Sequence, residues 1–516
     1  MEENIIDNIA EFHNILWTTG DFYNKTFNLE NCVLEFYGDY KVGGGTDGYD
    51  NSNYTFLTIS NCTFNCEKIE FNDIIQKNLH IYFEDCTFNC GISFKNSSFK
   101  ELWFSNIKSL LSLNFEMDKS KEDKVISNLI RFVNDKNSSK IKSQFIFNNV
   151  EIKNALIIEN IDIEEIIVSN SFINDFSIYN SSLSDLYFDE NSFSGNTRFN
   201  KIILQNNDSS IDDKYRGFSK NKFENTTFLE TEFIEKKTFE NCEFKNITRF
   251  EKCKNLENSE LKFVDCEFKG FTSFKHSEFN SLDIDNCIFE NSTSFIEAIF
   301  NKIRLSEANF LGKTYFDDIK INDVANESYL EDNVTEWKRT LRTIKQELQK
   351  TENKIDYGRF RVYEFNAYRR ELTNRKPKDK ILSRANRENN RLSRDLFILR
   401  LSNAVSEYGT NWKRAFLFTL SFGFIAYFAI TFIESRLIGS QLSFDSSDIN
   451  SFINGMFKFF IVTDFKSILD LKVAFEDKYC LYSIMVFLYR ITFVGCKIII
   501  AFGIYETVQS FRKFKV

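Results

Sequence analysis

A chain of 516 residues outgrows a single hydrophobic core, so at least two structural units are expected. It holds 59 Phe but only 18 Gly and one Pro, Pro377, which leaves little of the usual Gly and Pro punctuation. The net charge of −9 is uneven: residues 1–337 carry 34 basic and 57 acidic side chains, residues 338–414 carry 21 and 9, and residues 415–516 carry 10 and 8. An acidic body is therefore joined through a basic segment to a nearly neutral end.

The start, Met1-Glu2-Glu3-Asn4, has neither the basic residues nor the apolar run of a secretory signal. The 11 Cys are accordingly expected in a reducing compartment, without disulfides. Ile5, Ile9, Phe12, Leu16 and Trp17 fall at near-helical spacing, so residues 1–30 are expected to cap whatever follows. Residues 1–53 are read as this cap and a loop.

From residue 263 the bulky side chains run Phe263, Phe268, Phe274, Phe279, Ile284, Phe289, Phe295, Phe300, Leu305, Phe310, Phe316, in steps of five or six. Phe268, Phe289 and Phe310 recur every 21 residues, as do Phe274, Phe295 and Phe316. The same rhythm runs through Phe223–Phe250 and Phe83–Phe104. Two residues before many of these rings stands a small side chain: Cys62, Cys86, Ser97, Thr226, Thr231, Cys242, Cys266, Ser277, Cys287, Ala298, Ala308. Helices repeat at three and four and strands at two, so a sustained step of five fits neither. It fits a coil of four short faces, each turning one large and one small residue inward, stacked so that Phe falls on Phe.

This pattern resembles the pentapeptide-repeat family in a Phe-rich form. The resemblance implies a mainly β solenoid, a right-handed quadrilateral β-helix, over residues 54–323. Its structural core would be Phe268, Phe274, Phe279, Phe289, Phe295, Phe300, Phe310 and Phe316. The register breaks at Gly38–Asn53, Ile107–Ser143 and Gln205–Asn221, which are read as loops bulging from the coil. Cys62/Cys66 and Cys86/Cys90 form two matched pairs, but structural zinc sites more often use a two-residue gap. They are read as small, reduced residues in the solenoid, and no metal or cofactor is expected.

Residues 324–411 read as an α-helical connector. Trp337, Leu341, Ile344, Leu348 and Ile355 form an apolar stripe, a turn follows at Asn353–Gly358, and Phe360, Tyr363, Ala367, Tyr368 and Leu372 continue a second helix up to Pro377. A third, Arg387–Leu401, sets Leu392, Leu396 and Leu399 on one side and Arg387, Arg391 and Arg394 on another. The stretch Tyr357–Glu364 is similar to a helical hairpin found beside pentapeptide repeats in bacterial membrane proteins. The positive charge can meet anionic headgroups, the acidic solenoid or nucleic acid. The lipid bilayer is favoured because the segment runs straight into apolar sequence, with Lys413 and Arg414 as further lipid-facing candidates.

Residues 412–516 read as a membrane module. Ala415–Ile433 is uncharged over 19 residues, enough to cross a bilayer. A second stretch, about 480–505, is interrupted by Arg490 and Lys497, seven apart. Either both snorkel to headgroups or they line a polar interior as pore-lining intramembrane charges. Between the two lies an apolar but short segment, about 449–471, read as interfacial or re-entrant. Basic flanks at both ends of the module put both termini in the cytoplasm. The layout resembles two-helix ion channels, without their potassium filter. The ending Gly503–Phe514 resembles the tail of bacterial pentapeptide-repeat membrane proteins, which implies the inner membrane of a bacterium.

No catalytic constellation is visible: His13, His80 and His276 are scattered, and no phosphate loop or nucleophile motif occurs. Two functions stay open. One is a non-enzymatic homo-oligomeric pore or channel-like assembly gated by the solenoid. The other is a membrane-anchored scaffold whose solenoid binds a cytoplasmic protein partner. Nucleic acid is not expected as a partner, because the anchor argues against a soluble DNA mimic.

Overall fold

A computed structural model describes residues 4–8, 10–11, 22–23, 25–37, 55–75, 78–118, 125–135, 143–205, 217–256, 258–328, 333–375, 383–438, 446–465 and 480–512. The chain divides into two compact units, Met1–Ser328 and Tyr329–Val516.

The first unit is a parallel β-solenoid of about 11 turns. Its strands form two ladders, each running the length of the stack. Long strands bend across a corner and serve two faces. Thr63–Asn72, for example, pairs with Thr87–Phe88 through its first residues and with Gly91–Lys95 through its last. One inward column can be followed coil by coil: Phe71, Phe94, Phe115, Phe147, Val168, Phe188, Phe218, Phe239, Phe263, Ile284, Leu305.

Most rings within a column lie face on face, although Phe188 and Phe218 meet at 87°. Phe250, Phe274, Phe295 and Phe316 stack with centroids 5.3, 4.9 and 4.7 Å apart, and Phe244, Phe268, Phe289 and Phe310 with 4.6, 4.5 and 4.9 Å. Neighbouring columns meet edge to face, as Phe263 does Phe274 at 78°. Both arrangements suit the ring quadrupole. The eight core rings from Phe268 to Phe316 are all buried.

The corners have a common chemistry that the five-residue step does not announce. Among the described residues, twenty-one between Asn61 and Asp318 hold φ between 46° and 57°, roughly two per coil, and thirteen of them are Asn or Asp. These are the residue types that tolerate the left-handed region best after Gly. Each is followed by an inward residue, and two further on often comes the ring, as in Asn61-Cys62-Thr63-Phe64 and Asp265-Cys266-Glu267-Phe268. Corner amides still bond to the next coil, Asp85 N to Ser105 O at 3.0 Å and Asn286 N to Ser306 O at 2.9 Å.

The small inward residue fills its slot and supplies a donor. Ser97 Oγ lies 2.8 Å from both Phe71 O and Lys95 O, which share its one proton, and Cys266 Sγ approaches Phe239 O and Val264 O at 3.3 Å. Corner carbonyls that the ladders leave over are thereby satisfied. Cys62 and Cys86 occupy this slot, whereas Cys66 and Cys90 stack on each other elsewhere, sulfurs 3.2 Å apart. Burial pushes the Cys86 and Cys253 thiols up to about 12.

Three expectations change. Asn4–Ile6, Phe22–Tyr23 and Lys25–Tyr37 are strands that continue the ladders, so coiling begins well before residue 54; Phe12, Leu16 and Trp17 lie outside the described residues. The Ile107–Ser143 region is not a simple bulge: Ser112–Glu116 and Val125–Val133 are strands held in register on both sides. Extra residues are absorbed between strands, so the step from Phe115 to Phe147 is 32 residues and the pairing still holds. Gly217–Ser219 likewise rejoins the ladder after residues 206–216, which lie outside the described set, as does all of Gly38–Asn53.

The solenoid ends at Lys320–Ile321 and a single helical turn, Asn322–Ala325, which buries Val324. The second unit is helical: α1 (Val334–Lys350), α2 (Lys354–Arg375), α3 (Ser383–Ser406), α4 (Trp412–Ile438), α5 (Ser446–Phe460) and α6 (Cys480–Arg512). Trp337, Leu341, Ile344 and Leu348 are buried on α1, but Ile355 is exposed, because the turn after Lys350 takes it off the stripe.

Two measurements test the stack. Phe289→Ala leaves a cavity between two stacked rings and should lower stability by about 3–5 kcal/mol in denaturant unfolding of the full chain. Iodoacetamide at pH 8 should leave Cys86 and Cys253 unmodified in the folded protein and alkylate them once it is denatured; ready labelling of the folded form would contradict their burial.

Candidate functional site

The helical unit begins with a hairpin that uses much of its own charge. Across α1 and α2, Lys338 pairs with Glu371, and Glu364 takes both Lys345 and Arg342, the latter at 2.9 Å. Glu364 and Glu371 are buried carboxylates, so removing their partners would leave charge without compensation. Part of the basic character of the connector therefore serves the hairpin rather than a lipid surface. Arg391 and Arg394 on α3 are exposed, Arg414 is held by Glu407 at 2.9 Å, and Lys413 lies over the Trp412 ring; the Arg387 side chain is outside the described residues.

Two helices are long and apolar enough to cross a membrane, Trp412–Glu434 within α4 and Val486–Phe511 within α6. Phe424, Ile425 and Phe428 on α4 and Phe487, Leu488 and Ile498 on α6 are each more than half exposed. A water-soluble bundle would cover such a surface; a lipid-facing one leaves it bare. The two helices run antiparallel, with Trp412 5.1 Å from Phe511 and Gly503 against Thr419. A Cβ on Gly503 would strike the Thr419 side chain, so the contact depends on the missing atom.

Continuing that register sets Arg490 level with Phe432 and Ile433, beside Glu434 where the uncharged run stops. Arg490 thus lies near one end of the apolar layer, not at its centre, and is exposed. Lys497 falls level with Ile425 and Ala426, mid-run, and is only 2% exposed. Sharing a helical face does not give the two charges a shared setting.

Lys497 is engaged by α5. Its Nζ donates to Phe459 O and Ile461 O, each at 2.7 Å, and lies 4.9 and 5.4 Å from the Phe459 and Phe493 ring centroids. It caps the carbonyl end of α5, where the helix dipole attracts a cation. Around it, Ala426, Ile430, Phe459, Tyr489, Phe493 and Ile500 form a buried apolar cluster. Phe460 packs on Gly423, where a side chain would not fit, so α5 reaches the middle of the α4 apolar run. The segment expected at 449–471 is therefore a helix over Ser446–Phe460 followed by a turn through Phe465, with 466–471 outside the described residues.

At the other end of α4 and α6 sits a polar cluster that the sequence did not mark. The turn between α3 and α4 holds three successive left-handed residues, Glu407 (φ 50°), Tyr408 (φ 58°) and Gly409 (φ 78°). Such strain persists where the surroundings over-determine it. Here Ser406 Oγ donates to the buried Glu506 carboxylate at 2.5 Å and accepts from Gly409 N at 2.7 Å. Tyr408 is buried against Phe365 and donates to Asn366 Oδ1 at 3.1 Å; burial pushes its phenol up, which keeps the donor proton in place. The Gln509 side-chain oxygen, in the amide orientation its neighbours require, accepts from both terminal nitrogens of Arg361 at 3.2 Å. Hairpin, turn and α6 meet in this one network, and Arg414 at the start of α4 is tied to the same turn through Glu407. A lone Glu and Gln near the end of an apolar helix were its only trace in the sequence.

Fold and site together define a class: a Phe-stacked parallel β-solenoid on one chain with a helical unit containing two candidate membrane spans. Compared with known proteins, the chain matches no family model, no curated protein and no solved structure.

Ser406→Ala should destabilise the helical unit by about 1–3 kcal/mol, since it removes a donor from a buried carboxylate. Ser402→Ala, which removes only a side chain whose backbone oxygen serves the helix, should stay within about 0.5 kcal/mol. Thermal unfolding in detergent compares the two; equal melting temperatures would dismiss the network as incidental.

Proposed function

We propose that the chain is a non-enzymatic subunit of a homo-oligomeric, pore-like membrane assembly, with its solenoid as a cytoplasmic sensing or gating domain. The observation that carries this reading is α5. A plain anchor needs two crossing helices and a short loop. This chain also folds a third helix back against them, with its carbonyl end level with the middle of the α4 apolar run and a buried cation upon it. Irregular backbone at such depth is tolerated where protein or a water-lined cavity surrounds it. The network of Ser406, Tyr408, Glu506, Gln509 and Arg361 supports coupling, because movement of the hairpin would pull on both spans.

On this reading the solenoid is a Phe-rich relative of the pentapeptide-repeat β-helix. The 21-residue steps from Phe218 to Phe239 and from Phe263 through Ile284 to Leu305 support it. The spans would lie in a bacterial inner membrane with both termini cytoplasmic, and the exposed Arg391 and Arg394 would meet anionic headgroups.

A second reading is a membrane-anchored scaffold that binds a cytoplasmic protein through the solenoid. The inward setting of Lys497 and the end-of-layer level of Arg490 favour it, since neither offers an obvious charge to a conduit.

Purified protein separates the two. The assembly reading expects a defined oligomer by mass in detergent and discrete currents in planar bilayers. A monomer without conductance under any applied potential, together with activity retained after exchange of α4–α6 for an unrelated transmembrane pair, would establish the scaffold instead.

A further inference from the structure

The carbonyl end of α5 has the donor set of a cation site. The last carbonyls of a helix lack intrahelical donors and carry about half a negative charge between them. At the level of Ala426 the surroundings are apolar side chains, so bulk water does not neutralise them. The Lys497 ammonium meets a pair of neutral backbone oxygens, Phe459 O and Ile461 O, and the ring faces of Phe459 and Phe493, with the Asp464 carboxylate near enough to act on it electrostatically. Carbonyl oxygens and aromatic faces are what a dehydrated monovalent cation accepts in place of its hydration shell. Ile461 O also receives Asp464 N at 3.1 Å, which holds the turn that presents it.

We propose that this is a monovalent-cation site which the chain fills with its own ammonium. Lys497 is a tethered cation: it completes the site, cancels the dipole of α5 and keeps inorganic cations from occupying that depth. The inference rests on the membrane setting of the assembly reading and deepens it, by assigning to one residue the exclusion of sodium and potassium from the centre of the module. Lys497 is a positioning residue in this role, not a catalytic one. Its length matters, because the amine must cross from α6 to reach both oxygens, and so does its charge.

The test uses full-length protein purified in detergent and potassium, then exchanged into potassium, sodium or choline chloride at equal ionic strength. Wild type and Lys497→Arg should melt at the same temperature in all three, because each carries its own cation. Lys497→Ala opens the site and should melt several degrees lower in choline than in potassium or sodium, a shift of at least about 3 °C. Lys497→Met fills the space without charge and should be destabilised equally in all three salts. The idea fails if Lys497→Ala is insensitive to which cation is present, since Lys497 would then be a structural cap alone. It fails equally if wild type itself gains stability from potassium over choline, or if Lys497→Ala cannot be obtained in potassium while Lys497→Arg can. None of these readouts needs conductance or a particular oligomer, so loss of the pore reading leaves them interpretable.

Discussion

Contact between a phenylalanine ring and the equivalent ring one coil away is what the solenoid depends on. In-register parallel strands lie about 4.8 Å apart, close to the offset-stacking distance of two aromatic rings. The Phe223–Phe244–Phe268–Phe289–Phe310 column, at 4.5–5.1 Å, meets both requirements with the same geometry. Backbone pairing and side-chain stacking therefore select the same register, and a slip of one residue would turn the rings outward. The left-handed corners and the small donors behind them serve this agreement by turning the chain without leaving carbonyls unsatisfied.

The helical unit follows a different rule, in which several polar groups inside an apolar setting are held by specific partners. Glu506 has Ser406, Gln509 has Arg361, and Lys497 has two carbonyls and two rings. In such surroundings an unanswered polar group is costly, so these contacts constrain how the helices meet more than the apolar surfaces between them do. The hairpin works the same way, with Glu364 shared between Arg342 and Lys345.

Much of the solenoid was legible from spacing alone where Phe occupies nearly every inward corner, from Phe223 to Phe316. It blurred where Ile158, Val168 and Ile178 take the ring positions, since a branched aliphatic residue fills the column without marking it. The N-terminal coils were hidden because Ile5 and Ile9 happen to fall at helical spacing, and the inserts because their strands are short and separated by polar residues. Asn61, Asn96, Asn160 and Asn241 stand where the backbone turns left-handed, a role that the spacing of the inward residues does not mark. The existence of two long apolar helices was plain from composition. Lys497 was visible as a charge but not in its role, because its partners are backbone oxygens, which leave no mark in a sequence. The depth of Arg490 could be read only from how α4 and α6 pair.

The tolerance of the ladders for extra residues has a consequence for how such a chain can vary. Because each coil meets its neighbours through the same columns, material added between strands, as between Phe115 and Phe147, leaves the pitch unchanged. Height and girth are thereby independent. Gaining or losing one full circuit would lengthen or shorten the rod by a single strand spacing, about 4.8 Å, while side excursions decorate it at constant length. The reach of such a rod is set by the number of its circuits, and its surface can change without altering that reach.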